Sequence, residues 1–389
     1  MNVIVLHRIP YSKVRYDEII DHSAHRVVYV CRRGSGADLP PDANRHVLDA
    51  AWFDPTLMAD ELAGELARCD RLIARSEYDL IPAAQLRERF GIEGDKPDAV
   101  LPMRDKLLMR ERCAAARIAQ PEFWEAPAFL SAPSHAEHFV LKPRLEASSV
   151  GIRVGPREEI AAFVGTLQQP SQYLVEAFVP GRIFHVDGFV SQGNLEAVVT
   201  SEYVGNCLAF AFGAPLGSAQ APHDPAAVEL TRRTLAALGY DNGSFHFEGI
   251  RTEDGSFRFL EVASRVGGAG VAETFEMKTG VNLYRADLQH QLFGAHVRLD
   301  VRESADFFGW FVYPGHEHEV TPQFDFDADK WKAHLVSYRQ NIVTTQTPGA
   351  ISYAPDASPL SGLVRGRADE VARIIEQIFD ETESLEFAS

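Results

Sequence analysis

The stretch SFHFEGIRTEDGSFRFLEVASRVGG, Ser244 to Gly268, decides how the chain is read. Two runs of alternating large residues flank Asp254-Gly255, a pair that supplies the positive φ angles of a two-residue hairpin turn. With those two residues as the loop, Glu253 pairs with Ser256, and counting outward sets Glu248 opposite Glu261 on one face. Directly opposed Cβ atoms lie roughly 4.5–5.5 Å apart, so two such carboxylates repel unless a cation sits between them. Both could point into water or pair with nearby Arg251 and Arg258, or they could hold a metal. Period-2 alternation turns Arg251 away from Glu248 and Arg258 away from Glu261, which favours the metal. Oxygen-only donors suit Mg²⁺ or Mn²⁺ better than zinc, and Mg²⁺ typically takes one or two carboxylates plus substrate phosphates. His246 falls on the Glu248 face, opposite Ala263, as a substrate contact or a hydrogen-bonded core histidine.

The bulk of the chain agrees with small-molecule chemistry. Its 389 residues, 46% of them hydrophobic, exceed one ordinary core and suggest two or three units. Thirty-eight basic against 55 acidic residues give 38 − 55 = −17, a balance that disfavours nucleic acid or an anionic membrane as a partner. Cys31, Cys69, Cys113 and Cys207 show no Cys-x-x-Cys spacing, and no apolar run has the length of a membrane span or signal segment. Reduced, buried thiols in a cytoplasmic protein are therefore expected.

Along the chain the pattern is α/β, with α and β elements mixed. NVIVL, HRVVYVC and CDRLIARSEYD read as strands between helical stretches, which makes residues 1–100 a small α/β unit. A helix around RDKLLMRERCAAARI and the strand HFVLKPR open a second unit, 101–180. Strands in QYLVEAFV, RIFHVDGFV and LEAVVTSEYV follow, then the helix DPAAVELTRRTLAALGY with Asp224 as its cap and Gly239 as its stop. Residues 181–389 form the third unit, ending in a helical ADEVARIIEQIF and a tail, Glu383 to Ser389, expected to fray.

VLKPRLEASSVGI, Val140 to Ile152, sets Lys142 at the end of an apolar strand, with Ser148, Ser149 and Gly151 in the turn beyond it. Small residues let backbone N–H groups approach an anion, and the lysine adds a point charge, although such a loop is more often plain surface. Lys106 in MRDKLLMR begins a helix, and LVEAFVPG offers an extended edge beside Glu176 that could pair with an adenine.

The order of these parts resembles the ATP-grasp superfamily over nearly the whole chain: RDK, then VLKP with its small-residue loop, VEAFVPG, FHVDG, and HFE thirteen residues before LEVASRVGG. The resemblance implies an ATP-grasp fold with a Rossmann-like N-terminal domain, ATP clasped between a small subdomain carrying Lys142 and a large one carrying both metal carboxylates. It assigns Lys106, Lys142, Ser148, Ser149 and Gly151 to phosphates, Glu176, Ala177, Phe178 and Val179 to adenine, and Glu248 and Glu261 to Mg²⁺ or Mn²⁺. Ile183 stands where many relatives carry a ribose-binding glutamate, with His185 positioned to take over a nucleotide contact. Ala263 stands where D-alanine ligases have a metal-binding asparagine, and EVASRVGG is closer to bacterial L-amino acid ligases, whose arginine matches Arg265.

By that resemblance a carboxylate attacks the γ-phosphate of ATP, giving an acyl phosphate, and an amine displaces phosphate. Lys142 and Arg265 are then the catalytic cations, with Arg265, Gly267, Gly268 and His246 at the substrates. Arg265 could equally be a structural salt bridge, and Gly267, Gly268 and Gly270 a flexible loop. The expected partners are small carboxylates and amines, in a chain that could form a homodimer. A bicarbonate-using carboxylase-like enzyme and a nucleotide-binding regulator without turnover are the other readings.

Overall fold

The computed structural model describes residues 1–294, 297–316, 322–341, 351–353 and 357–385. Among the described residues there are three large sheets and one two-stranded sheet. The first is parallel, β1 (Asn2–Leu6), β2 (Arg26–Cys31), β3 (Arg45–Val47) and β4 (Arg71–Ile73) in the order β3-β2-β1-β4. Its central strands β1 and β2 are nearly continuous apolar runs because both faces are covered, whereas β3 is polar and largely exposed. The helix Leu80–Phe90 covers part of one face and stops at Gly91, whose φ of 68° suits a glycine C-cap.

The second sheet is antiparallel, β5 (Phe123–Glu125), β6 (His138–Pro143), β7 (Arg153–Pro156) and β8 (Tyr173–Ala177) in the order β5-β8-β6-β7. The helix Lys106–Ala115 leads into it, with Asp105 capping the N–H groups of Leu107 and Leu108.

The third sheet has eight strands. It contains β9 (Arg182–Ser191), β10 (Asn194–Gly205), β11 (Leu216–Gln220), β12 (Gly243–Arg251), β13 (Phe257–Ala263) and β14 (Phe307–Val312). A short β15 (Gln323–Asp325) lies outside it, and β16 (Leu335–Gln340) and β17 (Leu360–Gly366) complete it in the order β13-β12-β9-β10-β11-β14-β17-β16. Alternation sorts its faces: Phe245 and Phe247 of β12 pack with Phe184 and Val186 beneath the helix Pro225–Leu238, while His246, Glu248 and Ile250 face the other way. That helix has the expected Asp224 cap and Gly239 stop.

The tail corrects the sequence reading. Glu383–Leu385 form β18, which pairs with β15 and so does not fray, while residues 386–389 of that expectation lie outside the described residues. All four cysteines are free thiols, and among the described residues no helix is long and apolar enough to cross a membrane.

Candidate active site

The opening hairpin exists, and Glu248 is the register partner of Glu261. The route to that pairing differs from the sequence reading. The loop is Glu253, Asp254 and Gly255, closed by Thr252 pairing with Ser256, and Gly255 takes φ 79°. One extra loop residue displaces the register, so that Gly249, Ile250 and Arg251 face Phe259, Arg258 and Phe257. Leu260 then bulges out of β13 and restores the match at Glu261. The bulge also overturns the argument about Arg258: as the partner of Ile250 it shares the face of Glu248. It forms no ion pair with either glutamate among the described residues, and its guanidinium donates to the carbonyl of Phe257. Arg251 is turned away as expected and binds Asp224 and Glu202.

Glu248 and Glu261 open into a cavity of about 270 Å³ between the second and third sheets. Cations of the protein itself stand beside both carboxylates. Lys106 Nζ lies 3.2 Å from Glu261 Oε1, and His246 Nε2 lies 3.4 Å from Glu248 Oε1, which also accepts from the Tyr203 hydroxyl at 2.6 Å. Burial raises the pKa of Glu248, but its bonds to His246 and Tyr203 prevail and bring it to about 2. Burial lowers that of His246, and the adjacent Asp187 and Glu248 overcome this and lift it to about 10, so the ring is an imidazolium at neutral pH.

Beneath His246 runs a buried chain of hydrogen bonds. Asp187 Oδ1 lies 2.8 Å from His246 Nδ1, Asp187 Oδ2 lies 2.5 Å from His185 Nδ1, and His185 Nε2 lies 2.6 Å from Ser218 Oγ. His185, Asp187 and His246 have the donor types of a metal site, with ligand atoms within 4.8 Å of one another, but they are engaged with each other. The expectation for His185 is thereby corrected: both ring nitrogens are used inside the protein, and the residue supports His246 instead of lining the cavity.

Lys142 lines the cavity and its Nζ lies 2.7 Å from Glu176 Oε2, while Arg110 Nε donates to Glu176 Oε1 at 2.7 Å. These two cations outweigh the effect of burial and hold the Glu176 carboxyl at about 2. The Glu176 carboxylate thus orients Lys142 and is committed inside the protein. Ala177, Phe178 and Val179 also line the cavity, with the N–H groups of Ala177 and Phe178 committed to the carbonyls of Glu122 and His138. Ser148, Ser149 and Gly151 have φ of 58°, 58° and 72°, left-handed positions on either side of Val150, and the N–H groups of Val150 and Ile152 donate to the carbonyls of Ala147 and Ser149.

Arg265 lines the cavity and is part of a salt bridge, the second of the two alternatives left open by the sequence. Its Nε donates to Glu77 Oε2 at 2.6 Å, and its NH1 to the carbonyl of Val266 at 2.9 Å. Glu77 also pairs with Arg104, and the surrounding cations bring its pKa, raised by burial, down to about 2. The glycines after Arg265 differ. A Cβ on Gly267 would meet Asp187 Oδ1 and Val271 Cγ1, each at 2.7 Å, so its close approach is to the protein and not to a substrate; Gly268 has open space and lines the cavity. Sequence reasoning missed Glu77, Arg110, Tyr203 and Trp310. Glu77 and Tyr203 sit in RSEYD and TSEYV, runs read only as strands, and nothing local marks them as parts of a site.

A Rossmann-like unit followed by two sheets clasping a cavity, with lysines on one side and paired carboxylates on the other, is the ATP-grasp fold. The L-amino acid ligase from Bacillus licheniformis superimposes with a TM-score of 0.76 at 18% identity, covering 98% of each chain. Among curated proteins the chain is similar to the L-arginine-specific L-amino acid ligase of Bacillus subtilis, 24% identical over 271 residues; the match spans 65% of this chain and 65% of that relative. The biotin carboxylase domain of the Hydrogenobacter thermophilus 2-oxoglutarate carboxylase, a dimer with MgADP, ADP and bicarbonate, has a TM-score of 0.66 at 15% identity, over 98% of this chain and 90% of that one. No protein-family model matches the chain.

Proposed function

We propose that this chain is an ATP-dependent carboxylate–amine ligase that joins an amino acid to a second amino acid or a related amine, releasing ADP and phosphate. The observation that carries the reading is the convergence on one cavity of Lys106, Lys142, the Glu248–Glu261 pair and Arg265. The likeness to L-amino acid ligases supports it. We take the three sheets as the cores of three units, divided near residues 100 and 180.

In this reading Lys106, Lys142 and the Ser148–Gly151 turn hold the phosphates, and the cavity wall from Glu176 to Val179 receives the adenine through groups other than the N–H groups of Ala177 and Phe178, which bind Glu122 and His138. Glu248 and Glu261 fit a hard divalent cation: their oxygens are opposed across one strand pair, partly open to the cavity, and balanced by protein cations nearby. Mg²⁺ or Mn²⁺ held there would neutralise phosphate charge as it develops. A carboxylate oxygen of the first substrate attacks the γ-phosphorus, the bond to the bridging oxygen breaks, and ADP leaves. The amine nitrogen of the second then attacks the acyl carbon, the acyl C–O bond breaks, phosphate departs, and the amine proton passes to solvent. Phosphoryl transfer asks mainly for positioned charge, which Lys142 and Arg265 supply from opposite walls, Arg265 with the planar fork that suits an acyl phosphate or a carboxylate.

The test is to incubate the full chain with Mg²⁺-ATP and pairs of amino acids, following phosphate release, the nucleotide product and the mass of the condensed product. ADP and an amide are expected. ATP that binds without being consumed, whatever the pair, would favour a nucleotide-binding regulator, and turnover that needs bicarbonate would favour a carboxylase.

A further inference from the structure

Between the parts of the cavity assigned to adenine and to phosphates, both walls are apolar. Ile183 of β9 and Ile250 of β12 are register partners, and both line the cavity. Ile250 follows Glu248 on the same face of β12, two residues or about 7 Å along the strand. Ile183 follows Val179 by four residues, so the pair stands between Glu248 and the edge assigned to the adenine. On the second sheet Val140 and Val154 are register partners across β6 and β7 and line the opposite wall with Ile152. A nucleotide with its base at Phe178–Val179 and its phosphates at Glu248 and Glu261 lays its sugar along this stretch.

The polar side chains that border the stretch are already committed. Glu176, the register partner of Val140, has one oxygen on Arg110 and the other on Lys142, each at 2.7 Å. His185, two residues past Ile183, has both ring nitrogens engaged, with Asp187 and Ser218. Tyr203 donates its hydroxyl to Glu248 at 2.6 Å. Arg258, the partner of Ile250 on β13, is absent from the cavity wall, and its guanidinium donates to the carbonyl of Phe257. Among the described residues, no side chain of this stretch is left to bind a 2′- or 3′-hydroxyl. A hydroxyl pressed against isoleucine loses water and gains no partner, and a wall that binds neither hydroxyl has no means of choosing the sugar that carries both.

We propose, resting on the nucleotide placement above, that this site does not read the ribose hydroxyls and takes 2′-deoxy-ATP as readily as ATP, with Ile183 the residue that removes the discrimination.

The full chain, with Mg²⁺ and the amino-acid pair that releases phosphate fastest, is supplied with ATP or 2′-deoxy-ATP, and kcat/KM for each nucleotide is taken from phosphate release. The two values should agree within about threefold. A larger preference for ATP overturns the inference and leaves the ligase reading intact. Ile183 is only partly buried at the start of β9, so Ile183→Glu should fold, and its carboxylate, placed to accept from the sugar, should create a preference for ATP of about tenfold or more. A folded Ile183→Glu enzyme that still treats the two nucleotides alike also overturns the inference. If no pair consumes either nucleotide, the ligase reading fails, and the site is judged by calorimetric titration of the same chain with each Mg²⁺-nucleotide. Kd values within about threefold of each other support a sugar-blind site without turnover. Tighter binding of ATP beyond that, or binding of neither nucleotide, overturns it.

Discussion

Glu248 and Glu261 are partners across β12 and β13, yet each has its own cation from the protein, His246 for one and Lys106 for the other. Like charges are tolerated because these two neutralise them, and a divalent ion would join a balance already set. Glu261→Gln leaves Lys106 without that partner and gives an amide too weak to bind a hard cation. Phosphate release should fall on the order of 10²-fold or more with an unchanged fold, and raising Mg²⁺ should restore little. Turnover within tenfold of wild type at ordinary Mg²⁺ would remove Glu261 from the metal role. Arg265 has two duties, to Glu77 and to the cavity, so its variants need two measurements. Arg265→Lys keeps the charge but loses the planar fork, and should lower amide formation by about 10²-fold while ATP affinity stays within a few-fold. A drop in melting temperature with a normal rate per folded molecule would leave only the bridge to Glu77.

At the scale of elements, the hairpin shows what a sequence can and cannot reveal. Asp254-Gly255 announced a turn and the alternation announced strands, and the opposition of Glu248 and Glu261 followed. The loop length was misjudged, and the bulge at Leu260 cancelled the error, because nothing in GSFRFLE marks which residue leaves the ladder. Helices with caps, such as Asp224 to Gly239, were legible for the opposite reason: both signals are local. The adjacent glycines after Arg265 looked alike in sequence but meet different surroundings. Gly267→Ala should push on Asp187 and Val271, cost about 1–3 kcal/mol, and disturb His246 through Asp187, so that melting temperature and rate fall together. Gly268→Ala should melt normally. Equal melting temperatures for the two variants would show that the loop yields and that the contact with Asp187 is unimportant.

Across the whole molecule, what the sequence hid is what joins distant segments. Glu77 follows the first sheet, Arg104 precedes the linking helix and Arg265 follows β13, and one buried carboxylate holds both arginines. Its pKa of about 2 lies below the ordinary carboxylate value of 4.5, so the stabilisation it gives is complete above pH 4.5 and is lost as pH falls toward 2. Glu77→Gln leaves two buried cations poorly compensated and should cost about 3–5 kcal/mol at neutral pH. The gap between wild type and variant should narrow between pH 4.5 and 2 in denaturant titrations, and a constant gap through that window would separate Glu77 from this linkage.

Arg110 makes a comparable junction between the second and third sheets. Its guanidinium binds Glu176 of the second sheet and the carbonyls of Phe259 and Leu260 at the bulge of β13, so the two jaws of the clasp are fastened at this corner. Relative rotation of the jaws should therefore turn about Arg110 as a pivot. The loop beyond Lys142 is tied separately, its Leu145 and Glu146 carbonyls accepting from Arg104 and Lys106.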